Sequence, residues 1–297
     1  MKVLLTGVHG QLGRHLLPAL SEFGTVITTA RGGGDLPCDL SDPAAVNALL
    51  GEVAPQIIVN PAAWTAVDDA EEYPEEADVL NRRLPEALAA WTKEHDGLLV
   101  HYSTDYVFDG QPGRPWSERD ETSPASVYGR TKVAGEDAIK ASGARALILR
   151  TAWLYSACPG NFLSAILRRA KQGEALRVVR DQIGSPTWAG SLAEATMKLL
   201  ERSGQVNGAH IYHASDRGQM SWHEFASLAV DLAAEFGLIS ERVPVEPIDS
   251  SQWPQKAKRP AWSVLDSSEL EEACGHLMPT TEQSLTQCLR LWKKSPC

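Results

Sequence analysis

The chain opens on a short apolar run, Lys2–Thr6, that passes without a spacer into Gly7, Gly10 and Gly13 at GxxGxxG spacing, and a helical pattern begins within the same segment. Few backbone paths satisfy that order. Glycines allow the tight turn and the close packing of helix on strand. The start of the helix then presents unpaired N–H groups and the positive end of its dipole, a combination that suits a pyrophosphate. A glycine triplet by itself also fits an ordinary glycine-rich turn, so the elements that follow must decide.

They follow in alternation. Continuous β-branched runs recur at Thr25–Thr29, Gln56–Asn60, Leu98–Tyr102 and Ala146–Arg150, the pattern of strands buried on both faces. Between them lie helix signals at Gln11–Phe23, at Pro43–Val53 with Ser41 or Asp42 as cap, at Glu75–Glu94 and at Tyr128–Ala141. The order predicts an α/β fold over residues 1–155, a Rossmann-like doubly wound parallel sheet that binds a dinucleotide. Beyond Thr151 the rhythm loosens, and residues 156–297 are read as mainly a smaller C-terminal substrate lobe. Its helices are expected at Leu163–Lys171, Leu192–Arg202 and Trp222–Phe236, while His210–Ala214 is one more strand, free to return to the main sheet.

Composition narrows the partners. A formal net charge of -10 argues against nucleic acid, which needs clustered positive charge. No apolar run approaches the roughly 18 to 20 residues of a membrane span. The first strand is too short for a signal-peptide core, so the expected compartment is the cytoplasm. Cys38, Cys158, Cys274, Cys288 and Cys297 are odd in number and scattered, and free thiols are expected rather than disulfides or a zinc site. His9, His15 and His101 form no metal-ligand grouping, and no metal is assigned.

In the usual NAD site a carboxylate ends the second strand and bonds the ribose. Here that strand ends Thr28-Thr29-Ala30-Arg31. Arg31 is either a partner for a 2′-phosphate, which favours NADPH with NADH possible, or a solvated arginine beside Gly32, Gly33 and Gly34. Asp39 is suited either to the adenine amino group, with Leu40 packing on the ring, or to capping a helix. Asn60, Pro61, Ala62 and Ala63 close the third strand at its ligand-side end, where small residues let backbone pass near a cofactor.

The fourth strand ends in Ser103, Thr104 and Asp105, and Tyr128 and Lys132 follow, four apart and hence on one helix face. A phenol with a pKa of about 10 is a poor acid–base group at neutral pH, but a neighbouring ammonium and a cationic nicotinamide ring would pull it down. Tyr128 then gives a proton to a carbonyl oxygen as hydride reaches its carbon. Thr104 bonds that oxygen, and Lys132 holds the nicotinamide ribose. A Tyr/Lys pair also fits a plain amphipathic helix; the order of all three signals carries the inference.

Gly7–Gly13, Asp39–Asp42, Asn60–Glu71, Tyr102–Gly110, Val127–Glu136, Arg150–Tyr155, Asp181–Thr187 and Lys258–Asp266 together resemble the dTDP-4-dehydrorhamnose reductase family, over nearly the whole chain. The resemblance implies reduction of the 4-keto group of a dTDP-linked 4-keto-6-deoxy sugar to dTDP-L-rhamnose, with NADPH or NADH as donor. It further implies Tyr128 as proton donor with Lys132 as its partner, Thr104 and Asp105 beside the substrate, and Trp153 as a wall of the sugar pocket. Gly10, Gln11 and Leu12 would line the pyrophosphate, Asp39 and Leu40 the adenine. Ala62, Ala63, Trp64, Thr65 and Tyr102 would stand beside the cofactor; the sequence leaves the assembly open, a homodimer being one option.

Pro61, Trp64 and Ala152 depart from the family pattern around the nicotinamide. Trp153 also fits an ordinary core tryptophan. Arg259, in Lys256-Ala257-Lys258-Arg259-Pro260, is assigned to the substrate diphosphate, the alternative being a solvated basic turn. The acidic run from Asp68 to Glu76 is read as a solvated helix entrance. Sugar-nucleotide epimerases and dehydratases share the Tyr/Lys pair, but dehydratases need further carboxylates beside the threonine, and Tyr106 follows Asp105 here. A regulatory subunit without chemistry has no physical reason to keep Thr104, Tyr128 and Lys132 together.

Overall fold

Apolar side chains on both faces of the first strand commit it to a sheet interior. A computed structural model, which describes residues 1–111 and 113–294, places it there. In chain order the first half runs β1 (Lys2–Thr6), α1 (Gln11–Phe23), β2 (Thr25–Ala30), β3 (Gly33–Gly34), α2 (Pro43–Val53) and β4 (Ile57–Asn60). It continues through α3 (Val67–Glu72), α4 (Pro74–Asp78), α5 (Leu84–Glu94), β5 (Leu98–Thr104), α6 (Val127–Ser142) and β6 (Ala146–Thr151). The second half carries β7 (Leu154–Tyr155), α7 (Phe162–Lys171), β8 (Leu176–Val179), β9 (Ile183–Gly184), β10 (Thr187–Trp188) and α8 (Ala189–Glu201). Then come β11 (Ala209–His213), β12 (Met220–Ser221), α9 (Trp222–Glu235), β13 (Val245–Ile248), α10 (Ser268–Cys274) and α11 (Thr281–Lys294).

The main sheet has the order β11-β6-β5-β4-β1-β2-β3, parallel throughout except for the short antiparallel β3 at one edge. The chain steps outward from β1 to β2 and β3, then returns to β4 on the other side of β1. That reversal leaves a crevice beyond the C-terminal ends of β1 and β4, where an open α/β sheet takes its ligand.

Alternate residues sort onto the two faces. Val3, Leu5, Val59, Val100 and Leu149 pack with Leu16 of α1 and Leu199 of α8, whereas Leu4, Ile58, Leu99 and Ile148 pack with Leu50 of α2, Leu88 of α5 and Ile139 of α6. A third cluster, with Tyr155, Leu163, Ile166, Phe225, Val230 and Leu285, joins α7, α9 and α11. The strand near residue 210 pairs with β6, so chain from well beyond residue 155 completes the sheet.

The single helix predicted over Glu75–Glu94 is interrupted by a π turn at Val79–Arg83. Pro85 supplies the reason. It has no N–H for the carbonyl four residues back, that of Asn81, and the ladder widens around it. Gly135 of α6 sits against the released carbonyl so closely that a Cβ would lie 2.1 Å from it.

Among the described residues no helix is long and apolar enough to cross a membrane. Of the cysteines, Cys38 and Cys274 are buried thiols, and Cys297 lies outside the described residues.

Behind the sheet's C-terminal edge, Glu136 of α6 and Arg150 of β6 form a bidentate pair at 2.9 and 2.7 Å, with 0% and 2% of their surfaces exposed. Glu136→Gln leaves the guanidinium buried without its anion. It is expected to lower unfolding free energy by about 3 to 5 kcal/mol, read from denaturant titration, whereas an exposed pair such as Lys198 with Glu201 should cost under about 1 kcal/mol.

Candidate active site

The crevice is a continuous cavity of about 1060 Å³. Gly7, Gly10, Gln11, Leu12, Gly13, Arg31, Asp39 and Leu40 line one end, Ala62, Ala63, Trp64 and Thr65 the middle, and Tyr102, Thr104, Asp105, Tyr128, Lys132 and Trp153 the other end. The folded chain thus brings together the catalytic, cofactor-side and substrate-side residues assigned from the sequence, apart from Arg259.

At the glycine end, Gly7 adopts φ 55°, and a Cβ on Gly13 would lie 2.3 Å from the Gly7 carbonyl. The turn is closed to larger residues. No side chain caps the start of α1, although Asp42, Ser126, Asn161 and Ser221 cap α2, α6, α7 and α9. First-turn N–H groups of α1 therefore face the cavity without a side-chain acceptor, which fits a phosphate. Asp39 caps no helix; it accepts from Ser41 N at 3.0 Å and Ser41 Oγ at 2.7 Å, and these bonds, with Arg31 nearby, hold its pKa below the usual carboxylate value.

The middle of the cavity depends on the π turn. Buried Asn81 accepts from Trp64 N at 2.9 Å and donates to Trp64 O at 3.1 Å and Thr131 Oγ1 at 3.0 Å, so one side chain holds the Trp64 loop against α6. Sequence reasoning missed Asn81. Its only signal was Pro85 inside a helical pattern.

At the far end, Ser126 caps α6 and sets Tyr128 in its first turn. Lys132, one turn on, is 1% exposed and donates from Nζ to the Tyr102 carbonyl at 2.6 Å, with His101 Nε2 at 3.2 Å. Burial pulls its pKa to about 8, against an upward pull from Glu136. The expectation that this ammonium would depress the Tyr128 pKa is not met. Burial pushes the Tyr128 phenol up to about 12, opposed by the Thr104 hydroxyl and helped by Asp105, while Nζ of Lys132 is engaged with the β5 backbone and His101. The phenol is therefore protonated at neutral pH, the state a proton donor needs.

Thr104 Oγ1 donates to Asp105 Oδ1 at 3.0 Å and accepts from Tyr106 N at 3.2 Å. Asp105 is 2% exposed, and burial pushes its pKa up to about 6 against weaker opposing pulls from Ser263 and Thr104. No hydrogen bond of ordinary geometry closes on its Oδ2. The Tyr102 hydroxyl is engaged with Thr196 at 3.0 Å, so this residue serves Lys132 through its backbone.

Trp153 holds φ 47°, a left-handed conformation that costs a bulky residue on the order of 1 to 3 kcal/mol. Its ring stacks on Trp222 at 3.5 Å between centroids and 1° between planes. Trp222 also lines the cavity and carried no local signal in a chain with nine tryptophans. Arg259 lies off the wall. It pairs with Asp68 at 2.8 Å and stacks 5.9 Å from the centre of the Tyr106 ring, while its Nη1 is buried without a partner. The acidic run is exposed at Asp69, Glu72, Glu75 and Glu76, as read, but three of its carboxylates tie distant chain to the site: Asp68 also accepts from Ala257 N, Glu72 from Lys256, and Glu71 from Val127 N. The cations of Asp68 and Glu72 lie nearly two hundred residues away, so no local pattern announces these two pairs.

Residues 1–293 match the family model described as the RmlD substrate binding domain. A dTDP-4-dehydrorhamnose reductase of Burkholderia thailandensis is 39% identical, with 98% of each chain covered. The chain belongs to the dTDP-4-dehydrorhamnose reductase family. Solved structures of that family agree in shape. One from Clostridium acetobutylicum gives a TM-score of 0.89 at 36% identity, covering 99% of this chain and 100% of the other. Another from Bacillus anthracis, in complex with NADP, gives 0.88 at 30% identity, covering 98% and 99%.

A carboxyl whose pKa is raised in the folded state costs stability once pH exceeds its unfolded value, and the full cost is present above the folded value. Asp105, raised from 3.8 to about 6, costs on the order of 2 to 3 kcal/mol at neutral pH and nothing in acid. Asp105→Asn is expected to raise the melting temperature at neutral pH and leave it unchanged in acid, measured by calorimetry.

Proposed function

We propose that this chain reduces the 4-keto group of a dTDP-linked 4-keto-6-deoxy sugar to dTDP-L-rhamnose, using NADPH. The observation that carries the reading is one cavity with an uncapped helix start at one end and Thr104, Asp105, Tyr128 and Lys132 converging at the other. The activity printed for the Burkholderia thailandensis relative and the NADP of the Bacillus anthracis structure support it. Gly10, Gln11 and Leu12 would hold the pyrophosphate, Asp39 and Leu40 the adenine side, and Ala62, Ala63, Trp64 and Thr65 the inner face. When bound, the reduced nicotinamide supplies hydride to the carbonyl carbon.

The chain's own residues do the rest. Tyr128, kept as a phenol by burial, gives its proton to the carbonyl oxygen, and Thr104 orients that oxygen from the end of β5. Lys132 fixes the ribose and remains charged near the developing phenolate. The Trp153 and Trp222 stack bounds the sugar, excluding water from the reacting carbon. Arg259 is the cation we assign to the substrate diphosphate, its guanidinium paired with Asp68 at 2.8 Å.

Tyr128→Phe removes the proton and keeps the ring. NADPH oxidation driven by the keto sugar should fall roughly 10² to 10⁴-fold while NADPH affinity, followed by fluorescence, stays near that of the unmodified chain; turnover within a few-fold would remove Tyr128 from this role.

Arg31 directly follows β2, where no carboxylate stands to bond a ribose hydroxyl. Arg31→Ala should move the NADPH to NADH preference in kcat/KM by about 10- to 100-fold toward NADH, the loss of one charge-assisted contact. An unmodified chain that already prefers NADH would refute this assignment.

A further inference from the structure

The row of side chains one pleat before the cavity is apolar, with Leu4, Ile58 and Leu99 in register across β1, β4 and β5. Two residues on, the same row is polar. Thr6 Oγ1 lies 2.6 Å from Asn60 Oδ1, Asn60 Nδ2 lies 3.1 Å from His101 Nδ1, and His101 Nε2 lies 3.2 Å from Lys132 Nζ. All of Thr6, Asn60 and His101 are 0% exposed. Beyond the row, Thr6 Oγ1 accepts from Ala62 N at 3.3 Å and Lys132 donates to the Tyr102 carbonyl, and the remaining hydrogen bonds of the four groups are made to one another.

Counting protons shows what the row can do. A neutral imidazole has one donor and one acceptor. When Lys132 is an ammonium, His101 Nε2 must accept, so Nδ1–H donates to the oxygen of the Asn60 amide and the amide N–H₂ donates to Thr6 Oγ1. When Lys132 is a neutral amine, every bond reverses: Nε2–H donates to Nζ, the amide N–H₂ donates to Nδ1, and the Thr6 hydroxyl donates to the amide oxygen. Turning the amide by 180° exchanges its oxygen and nitrogen without moving either neighbour. A carboxylate in place of His101 would fit only the ammonium, and an apolar residue neither.

We propose that His101 is a positioning residue for the reduction, which partners Lys132 in both of its protonation states through the reversible Thr6–Asn60–His101 row and so sustains the ammonium in a sealed site. Charges around the row are consistent with a neutral ring. Lys132 faces it from α6, while Glu136, the acid acting on Lys132, is held by Arg150 of β6. Burial and the adjacent Lys132 both hold the His101 pKa well below its ordinary value. Asp105 and Tyr128 titrate in the same cavity wall. The inference rests on the catalytic reading of Lys132 given above.

Two measurements on the full-length chain test it. Activity that needs the ammonium is lost as pH rises through the Lys132 pKa. His101→Leu leaves Nζ only the Tyr102 carbonyl, so the basic limb of kcat/KM should fall by about one pH unit. Activity at mildly alkaline pH should drop about tenfold, and the acid-side plateau should stay within a few-fold. His101→Gln, whose amide also presents either a donor or an acceptor, should restore the limb, and Asn60→Leu should shift it less in the same direction.

Independently of substrate, ¹⁵N-histidine spectra should show the ring signal lost in His101→Gln as a neutral imidazole. That ring should pass from the Nδ1–H to the Nε2–H tautomer as Lys132 deprotonates. A His101→Leu profile that superimposes on the unmodified one after uniform scaling overturns the proposal, as does a basic limb moved upward. A ring that stays cationic, or in one tautomer throughout, overturns it even if His101→Leu does not fold. Retained activity in Lys132→Met would remove the catalytic reading instead, and the spectra would still report on the row.

Discussion

Taking the ammonium of Lys132 out of water costs several kcal/mol, and the C-terminal edge of the sheet is arranged around that cost. Nζ is 2.6 Å from the Tyr102 carbonyl, one residue beyond the last pair of β4 with β5 at Asn60 and His101. The helix carrying Lys132 starts where Ser126 caps it, and that start fixes the position of Tyr128. Glu136, one turn further along, draws the charge upward in pKa while burial draws it down. Strand end, cap, phenol and acid are therefore coupled, and moving one would displace the others.

Burial acts in opposite senses on the neighbouring acids. It raises Tyr128 to about 12 and Asp105 to about 6, and lowers Lys132 to about 8. Between the latter two values the site carries a carboxylate, a phenol and an ammonium at once. In the proposed reduction, the carbonyl gaining hydride would find both a proton donor and a stabilised charge within this window. Stability is lost to hold Asp105 and the left-handed Trp153 in place, at the positions where the cavity is shaped for chemistry.

Much of the fold was readable because its signals are local. Strand periodicity located β1, β2, β4, β5 and β6 to within a residue or two, and Gly7, Gly10 and Gly13 marked the turn whose tightness the Gly13 contact explains. Tyr128, Lys132 and Thr104 were readable by order and spacing. Asn81 was not, since its work depends on a π turn that Pro85 opens and Gly135 of another helix accepts. Trp222 was not, because a stack needs the partner ring and Trp153 is 69 residues earlier in the chain. Arg259 was singled out as a cation, but Asp68, its ion-pair partner, was taken for a solvated residue.

What the amino-acid order determined by itself was the alternation of strand and helix, the glycine turn, and a phenol and an amine on one helix face. Each follows from backbone sterics or from periodicities of two and 3.6 residues, which act over a few neighbours. Tertiary structure alone decided the protonation states and the company each group keeps. Thr6, Asn60 and His101 meet only because parallel strands in register place residues 54 and 41 positions apart side by side. Lys132 is held close to the working pH range only because packing removes water from it, and desolvation is a property of the whole enclosure rather than of any segment.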